Sequence, residues 1–132
     1  MGIATVTDPR SFLEERYNRY NEELLFSDEE AGAIIDRYYT PDFVINSGGI
    51  AMGRERLIKH VRPLRKQAVP GGRYEVLEAV QDGNRFASRY IIHAALKHQT
   101  MRIEVIEFLE MADDGRISQA NSATRNLPDS DG

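Results

Sequence analysis

At Pro70-Gly71-Gly72 the apolar pattern of this chain changes period, and no other feature restricts the fold as much. Before that point, apart from one short strand-like stretch, apolar residues recur at helical spacing, and after it they alternate as strands do. Phe12, Leu13, Tyr17, Tyr20 and Leu24 follow Asp8-Pro9 and predict a capped amphipathic helix from about Pro9 to Leu25. Ser27-Asp28-Glu29-Glu30 has the form of a capping box, and Ala31, Ile34, Ile35 and Tyr38 mark a second helix closed by Pro41. Phe43 to Ser47 is β-branched and aromatic, turns at Gly48-Gly49, and predicts a short strand continued by Ile50 to Met52. Leu57, Ile58, Val61, Leu64 and Ala68 predict a third helix from Arg54 to Gln67, with Pro63 as a kink or early end.

Beyond the break come Tyr74 to Val80, Arg85 to about Lys97, Met101 to Met111 and Arg116 to about Thr124, joined at Asp82-Gly83-Asn84 and Asp113-Asp114-Gly115. Helices first and antiparallel strands last define an α+β fold, with a curved sheet packing one face on the helices. A length of 132 residues fits one domain, expected over 8–127, with loose ends at 1–7 and 128–132.

Composition removes several classes of function. The absence of cysteine excludes disulfides, thiolate metal sites and thiol nucleophiles. No run reaches the roughly 18 apolar residues of a membrane span, and no signal-peptide plan opens the chain, so a cytoplasmic protein without a membrane partner is expected. Arg54, Arg56, Lys59, Arg62, Arg65 and Lys66 gather on the third helix, but the net charge of −4 favours a solvated face over a nucleic-acid patch. His60 lies among them with no metal-ligand spacing around it, and neither a metal nor a cofactor is expected.

Face alternation singles out one residue. Met101, Ile103, Val105, Glu107, Leu109 and Met111 share a strand face that is apolar except for Glu107. An ionised carboxylate buried there would cost several kcal/mol, so Glu107 must be paired, neutral or at the wall of a cavity. The opposite faces interleave Ile91, Ile106 and Phe108 with Arg89, His93, Glu104 and Glu110, as expected for the outer sheet face of a homodimer.

Tyr39-Thr40-Pro41-Asp42-Phe43-Val44-Ile45-Asn46-Ser47, Met52-Gly53-Arg54-Glu55-Arg56-Leu57-Ile58, Asp82-Gly83-Asn84-Arg85-Phe86-Ala87, Phe108-Leu109-Glu110 and Asp114-Gly115-Arg116-Ile117 follow one another in an order that resembles the nuclear-transport-factor-two-like superfamily. The likeness is to its SnoaL-like and ketosteroid-isomerase-like branch, and it runs from Ser11 to Leu127. It implies a cone-shaped roll: a strongly curved, mostly antiparallel sheet wrapped on three N-terminal helices, enclosing a pocket for a small apolar organic ligand and dimerising through its outer face. It implies an acid at Glu107 that stays protonated, with a first-helix tyrosine, matched to Tyr20, as its partner. It also implies ligand contacts at Ser47 and Asn46 on the first strand and at Ser88, Tyr90, Val105 and Thr124 on the concave face.

The expected chemistry is acid/base proton transfer on a polyketide-, terpene- or steroid-like substrate: isomerisation, cyclisation or dehydration. One departure weighs against it. The carboxylate base of such isomerases falls where this chain has Ser47, and serine without an activating partner does not serve as that base. The alternatives are a non-catalytic ligand-binding domain and a dimeric module with a filled cone.

Overall fold

The computed structural model describes residues 2–128. The elements are α1 (Pro9–Phe26), α2 (Ala31–Tyr38), β1 (Tyr39–Ser47), β2 (Ile50–Met52), α3 (Arg54–Gln67), β3 (Arg73–Asp82), β4 (Arg85–Leu96), β5 (Gln99–Met111) and β6 (Ile117–Asn126). The strands form one sheet in the order β2-β1-β6-β5-β4-β3. All neighbours are antiparallel except β1 and β6, which run parallel. The architecture is the α+β roll that the change of period requires.

Local chemistry explains the element ends and two departures from the sequence-based expectation. Asp8 caps α1 by accepting from the Ser11 N–H at 3.3 Å, and Pro9 fits the first turn, where its missing N–H costs nothing. Ser27 does not start α2. Its hydroxyl donates to the Glu23 carbonyl at 2.7 Å and so satisfies the end of α1, and no side chain caps α2. Nor does Pro63 end α3, which runs on to Gln67.

Curvature comes from irregular pairing. The registers of β3 with β4, β1 with β6 and β5 with β6 each slip once, at Val76/Glu78, Tyr39/Val44 and Glu110/Met111. An extra residue in one strand bends it and raises its twist, which curls the sheet around the helices. The concave face carries one core: Leu13 and Tyr17 of α1 packed on Val76, Phe86, Tyr90, Val105, Leu109, Met111, Ile117 and Ala120. A second core joins Leu24, Ala31, Ile34, Ile35, Tyr38, Phe43, Leu57 and Val61 among the three helices and β1. Residues 2–7 form no helix or strand but are tied to the β3–β4 hairpin: the Ile3 N–H donates to Asn84 and the Val6 N–H to Gln81, both at 2.8 Å. Of the tail expected to be loose, residues 129–132 lie outside the described residues.

Candidate functional site

Glu107 is 8 % exposed in the middle of β5, facing α1. Its two oxygens accept from two tyrosines: Tyr17 on α1 at 2.7 Å to Oε1, and Tyr90 on β4 at 3.3 Å to Oε2. Among the described residues no Lys, Arg or His pairs with it. Burial therefore raises its pKa above the ordinary carboxyl value, and the two phenol hydrogen bonds only partly oppose that rise. The phenols respond in kind. Burial, and then the charge on Glu107, push Tyr90 and Tyr17 well above the usual phenol value and Tyr74 up to about 12. All three stay protonated, and Tyr17 and Tyr90 act as hydrogen-bond donors to the carboxyl.

Helical spacing explains which tyrosine arrives. Tyr17 and Tyr20 lie on one stripe of α1, but only Tyr17 stands above the β4–β5 pair. Tyr20 turns toward β1 and α2, its ring 5.1 Å from Tyr38 and 5.7 Å from Tyr39. The hydroxyl expected from Tyr20 is therefore supplied one turn earlier. Tyr74 completes the cluster, its ring centroid 5.7 Å from those of both Tyr17 and Tyr90.

Register places the other expected contacts. Ser47 pairs with Ser122, Ser122 with Glu107, and Glu107 with Ser88, so these four share one inward row across β1, β6, β5 and β4. At about 4.8 Å per strand, Ser47 stands two strands from the carboxyl. Ser88 is buried beside it. Val105 lies in the next row opposite Thr124, Val105 buried and Thr124 exposed beyond the end of β1. Asn46 is the exception. Strand alternation puts it on the convex row, where its amide donates to Asn121 at 3.1 Å.

The interior beside Glu107 is filled by Tyr17, Tyr74 and Tyr90. An apolar cavity of about 360 Å³ opens at the mouth of the cone between the end of α1, α3 and the ends of β3, β4 and β5. Leu25, Leu64, Tyr74, Ile92, Met101 and Ile103 supply its apolar wall, and Asn21 and His60 supply polar groups. Its outer edge is drawn in by the loop after α3. The Val69 N–H donates to the Ala95 carbonyl at 3.0 Å, and a side chain at Gly72 would come within 3.1 Å of the His93 carbonyl oxygen. Tyr74 is thus shared: it walls the cavity and packs against the two tyrosines that hold Glu107.

Sequence reasoning missed this mouth. It is built from the ends of five elements, and no periodic pattern brings such ends together. The one available signal was Tyr17, present in the α1 stripe but not matched to Glu107. Among the described residues no three His, Asp or Glu side chains gather as metal ligands, and no helix is long and apolar enough to cross a membrane.

The model of the SnoaL-like domain family matches residues 18–120, and the chain belongs to that family. No curated protein sequence matches it significantly. Among solved structures it is similar to PrhC from Penicillium brasilianum at a TM-score of 0.67 and 10 % identity, over 88 % of this chain and 82 % of that one. It is also similar to a de novo designed protein of the nuclear-transport-factor-two fold, at 0.61 and 15 % identity over 92 % and 88 % of the two chains. An epoxide hydrolase of the LEH-like type from M. tuberculosis matches at 0.58 and 18 % identity, over 86 % and 85 %. At such identities these likenesses establish the nuclear-transport-factor-two-like fold and nothing finer.

Proposed function

We propose that this SnoaL-like domain receives a small, mostly apolar organic molecule in the cavity at the cone mouth. The observation that carries this is the cavity itself, about 360 Å³ with a largely aliphatic and aromatic wall, within the size range of small-molecule sites. Filling it is the direct test. Ile103→Trp should abolish binding of every ligand that raises the melting temperature of the parent in a panel of polyketide-, terpene- and steroid-like compounds. A ligand bound equally well by the filled variant would remove the cavity from the function.

A second observation favours catalysis over mere binding. A buried carboxyl with two phenol donors and no cation is a group kept ready to hold or give up a proton, and such an arrangement is costly as simple packing. A ligand that displaces the Tyr74 ring meets the Tyr17–Glu107–Tyr90 array. Glu107 then acts as the acid in an isomerisation, cyclisation or dehydration, and no cofactor is needed. Product analysis of the bound compounds separates the two roles: conversion supports the enzyme, whereas binding without any product supports a sensing or carrier domain, in keeping with Ser47 at the usual base position.

The convex face suits a second copy of this chain. Val80, Ile106 and Phe108 are 65, 51 and 57 % exposed there, among Glu78, Arg89 and Glu110. In light scattering after gel filtration the parent should elute as a dimer and Phe108→Arg as a monomer. A monomeric parent at high concentration would end this assignment.

A further inference from the structure

β3 is an outer strand of the sheet, yet the half of its free edge nearest the cavity mouth is covered by side chains of α1. The Tyr74 N–H donates to Asn18 Oδ1 at 2.8 Å, and the Tyr74 carbonyl accepts from Asn18 Nδ2 at 2.9 Å. Two residues on, the Val76 N–H donates to Glu14 Oε1 at 3.0 Å and the Val76 carbonyl accepts from Arg10 Nη1 at 3.1 Å. Arg10, Glu14 and Asn18 recur at every fourth position, so they share one face of the helix and stand in for a missing strand. The Arg10–Glu14 ion pair at 3.3 Å and a bond from Asn18 Nδ2 to the Glu14 carbonyl at 2.9 Å fix the row.

The stretch held in this way, Arg73 to Val76, lies between two interruptions. Gly71 before it has φ +113°, a conformation that suits glycine alone, and after it the ladder slips between Val76 and Glu78, leaving Leu77 without a partner on β4. Within the stretch, Tyr74 walls the cavity and packs against Tyr17 and Tyr90. Its hydroxyl makes no hydrogen bond among the described residues, so packing and the Asn18 clamp on its backbone hold the ring in place. Tyr17 and Asn18 are consecutive on α1. One turn of helix therefore gives Glu107 its donor and pins the strand whose ring lies beside that donor.

We infer that Asn18 is a positioning residue, the latch of a gate: it holds Tyr74 between the mouth cavity and Glu107, and its release opens the passage from one to the other. A cover that merely kept stray strands off the sheet edge would use the same bonds. The two roles differ at Glu107, whose surroundings change only if the latch governs access to it. The inference rests on the cavity being the way in to the carboxyl.

A carbon-13 NMR titration of the Glu107 carboxyl, with Glu107→Gln identifying the signal, tests it in the parent, Asn18→Leu and Leu57→Ala. The ionisable groups that bear on this carboxyl are the phenols of Tyr17 on α1, Tyr74 on β3, Tyr90 on β4 and Tyr39 on β1. In Asn18→Leu the midpoint should fall toward the ordinary carboxyl value as Tyr74 yields and water enters from the mouth. Leu57→Ala, a truncation in the other core, should lower the melting temperature and keep the parent midpoint. Adding Ile103→Trp to Asn18→Leu fills the cavity and should restore the parent midpoint. An unchanged midpoint in Asn18→Leu overturns the inference. A fall that Ile103→Trp does not reverse means that water arrives by another route, which also overturns it. No ligand enters the titration, so a failed ligand panel and a failed latch are separate results. Hydrogen exchange in the parent supplies a check that no folding defect can hide. The Tyr74 and Val76 amides should exchange by local opening at a rate indifferent to mild urea, while those of β5, with a strand on either side, should exchange only on global unfolding. Exchange of all of them by global unfolding alone would sink the latch.

Discussion

Glu107→Gln is expected to give a folded protein whose stability relative to the parent improves as pH rises. The sign follows from the raised pKa of the buried carboxyl. Well below the unfolded value near 4.5, Glu107 is protonated in both states and contributes no pH dependence. As pH climbs past that value, the unfolded chain releases its proton first while the folded one retains it, so the parent loses stability until the raised folded pKa is passed. Glutamine keeps an acceptor for the Tyr17 hydroxyl and has no proton to lose. The gap between the two proteins therefore opens through that window and is flat above it. Carboxylates held low by arginines, such as Asp36 beside Arg54 and Glu104 beside Arg125, give both proteins the opposite slope and cancel in the comparison. Urea denaturation of the pair across the acid-to-neutral range measures the gap. A constant difference would mean that Glu107 titrates as an exposed carboxyl. For any compound the parent converts, the same variant should lower turnover by about 10²–10⁴, the range for loss of a general acid. Unchanged turnover would remove Glu107 from the chemistry.

Phe86→Ala should be the most damaging single truncation. Phe86 is 1 % exposed on the concave face of β4, stacked on Phe12 of α1 at 5.6 Å and paired across the strands with Leu109. Removing a buried ring costs about 3–5 kcal/mol, a large part of the roughly 5–15 kcal/mol that holds a domain together. The denaturation midpoint should fall with an unchanged slope. Phe108→Ala, one strand over on the convex face, should cost a monomer well under a third of that. If the two truncations cost the same, the inner face is not the close-packed core that it is taken to be.

The contrast between Phe86 and Phe108 also shows what could be read from the sequence. Strand alternation sorted both correctly, and it put Glu107 on the inner face, because a period of two leaves a side chain only two directions. Asn46 and Ser47 were expected together at the pocket, but neighbours in sequence take opposite faces of a strand, and only Ser47 lies on the inward row. Helical spacing offered Tyr17 and Tyr20 on one stripe, and the choice between them depended on how α1 crosses the sheet, which its own residues do not encode. Ser27 looked like the start of α2 because serine satisfies either end of a helix. The mouth cavity was least legible of all. His60 carried a meaningful position but no local pattern, and only the meeting of α3 with the β4–β5 end gave it a neighbourhood.

The parallel pairing of β1 with β6 has a consequence for how the molecule is made. Asn46 and Asn121, hydrogen-bonded across that seam, are 75 residues apart, whereas β3, β4, β5 and β6 join through short turns. The meander from Arg73 to Asn126 can zip up locally, while the helical half, which emerges first during synthesis, has no β6 to receive its strand. During that interval Phe43 and the apolar face of α2 lack part of their cover. Kinetic measurements should find the seam closing last, and substitutions at Ile45 or Ala120 should speed unfolding far more than they slow folding.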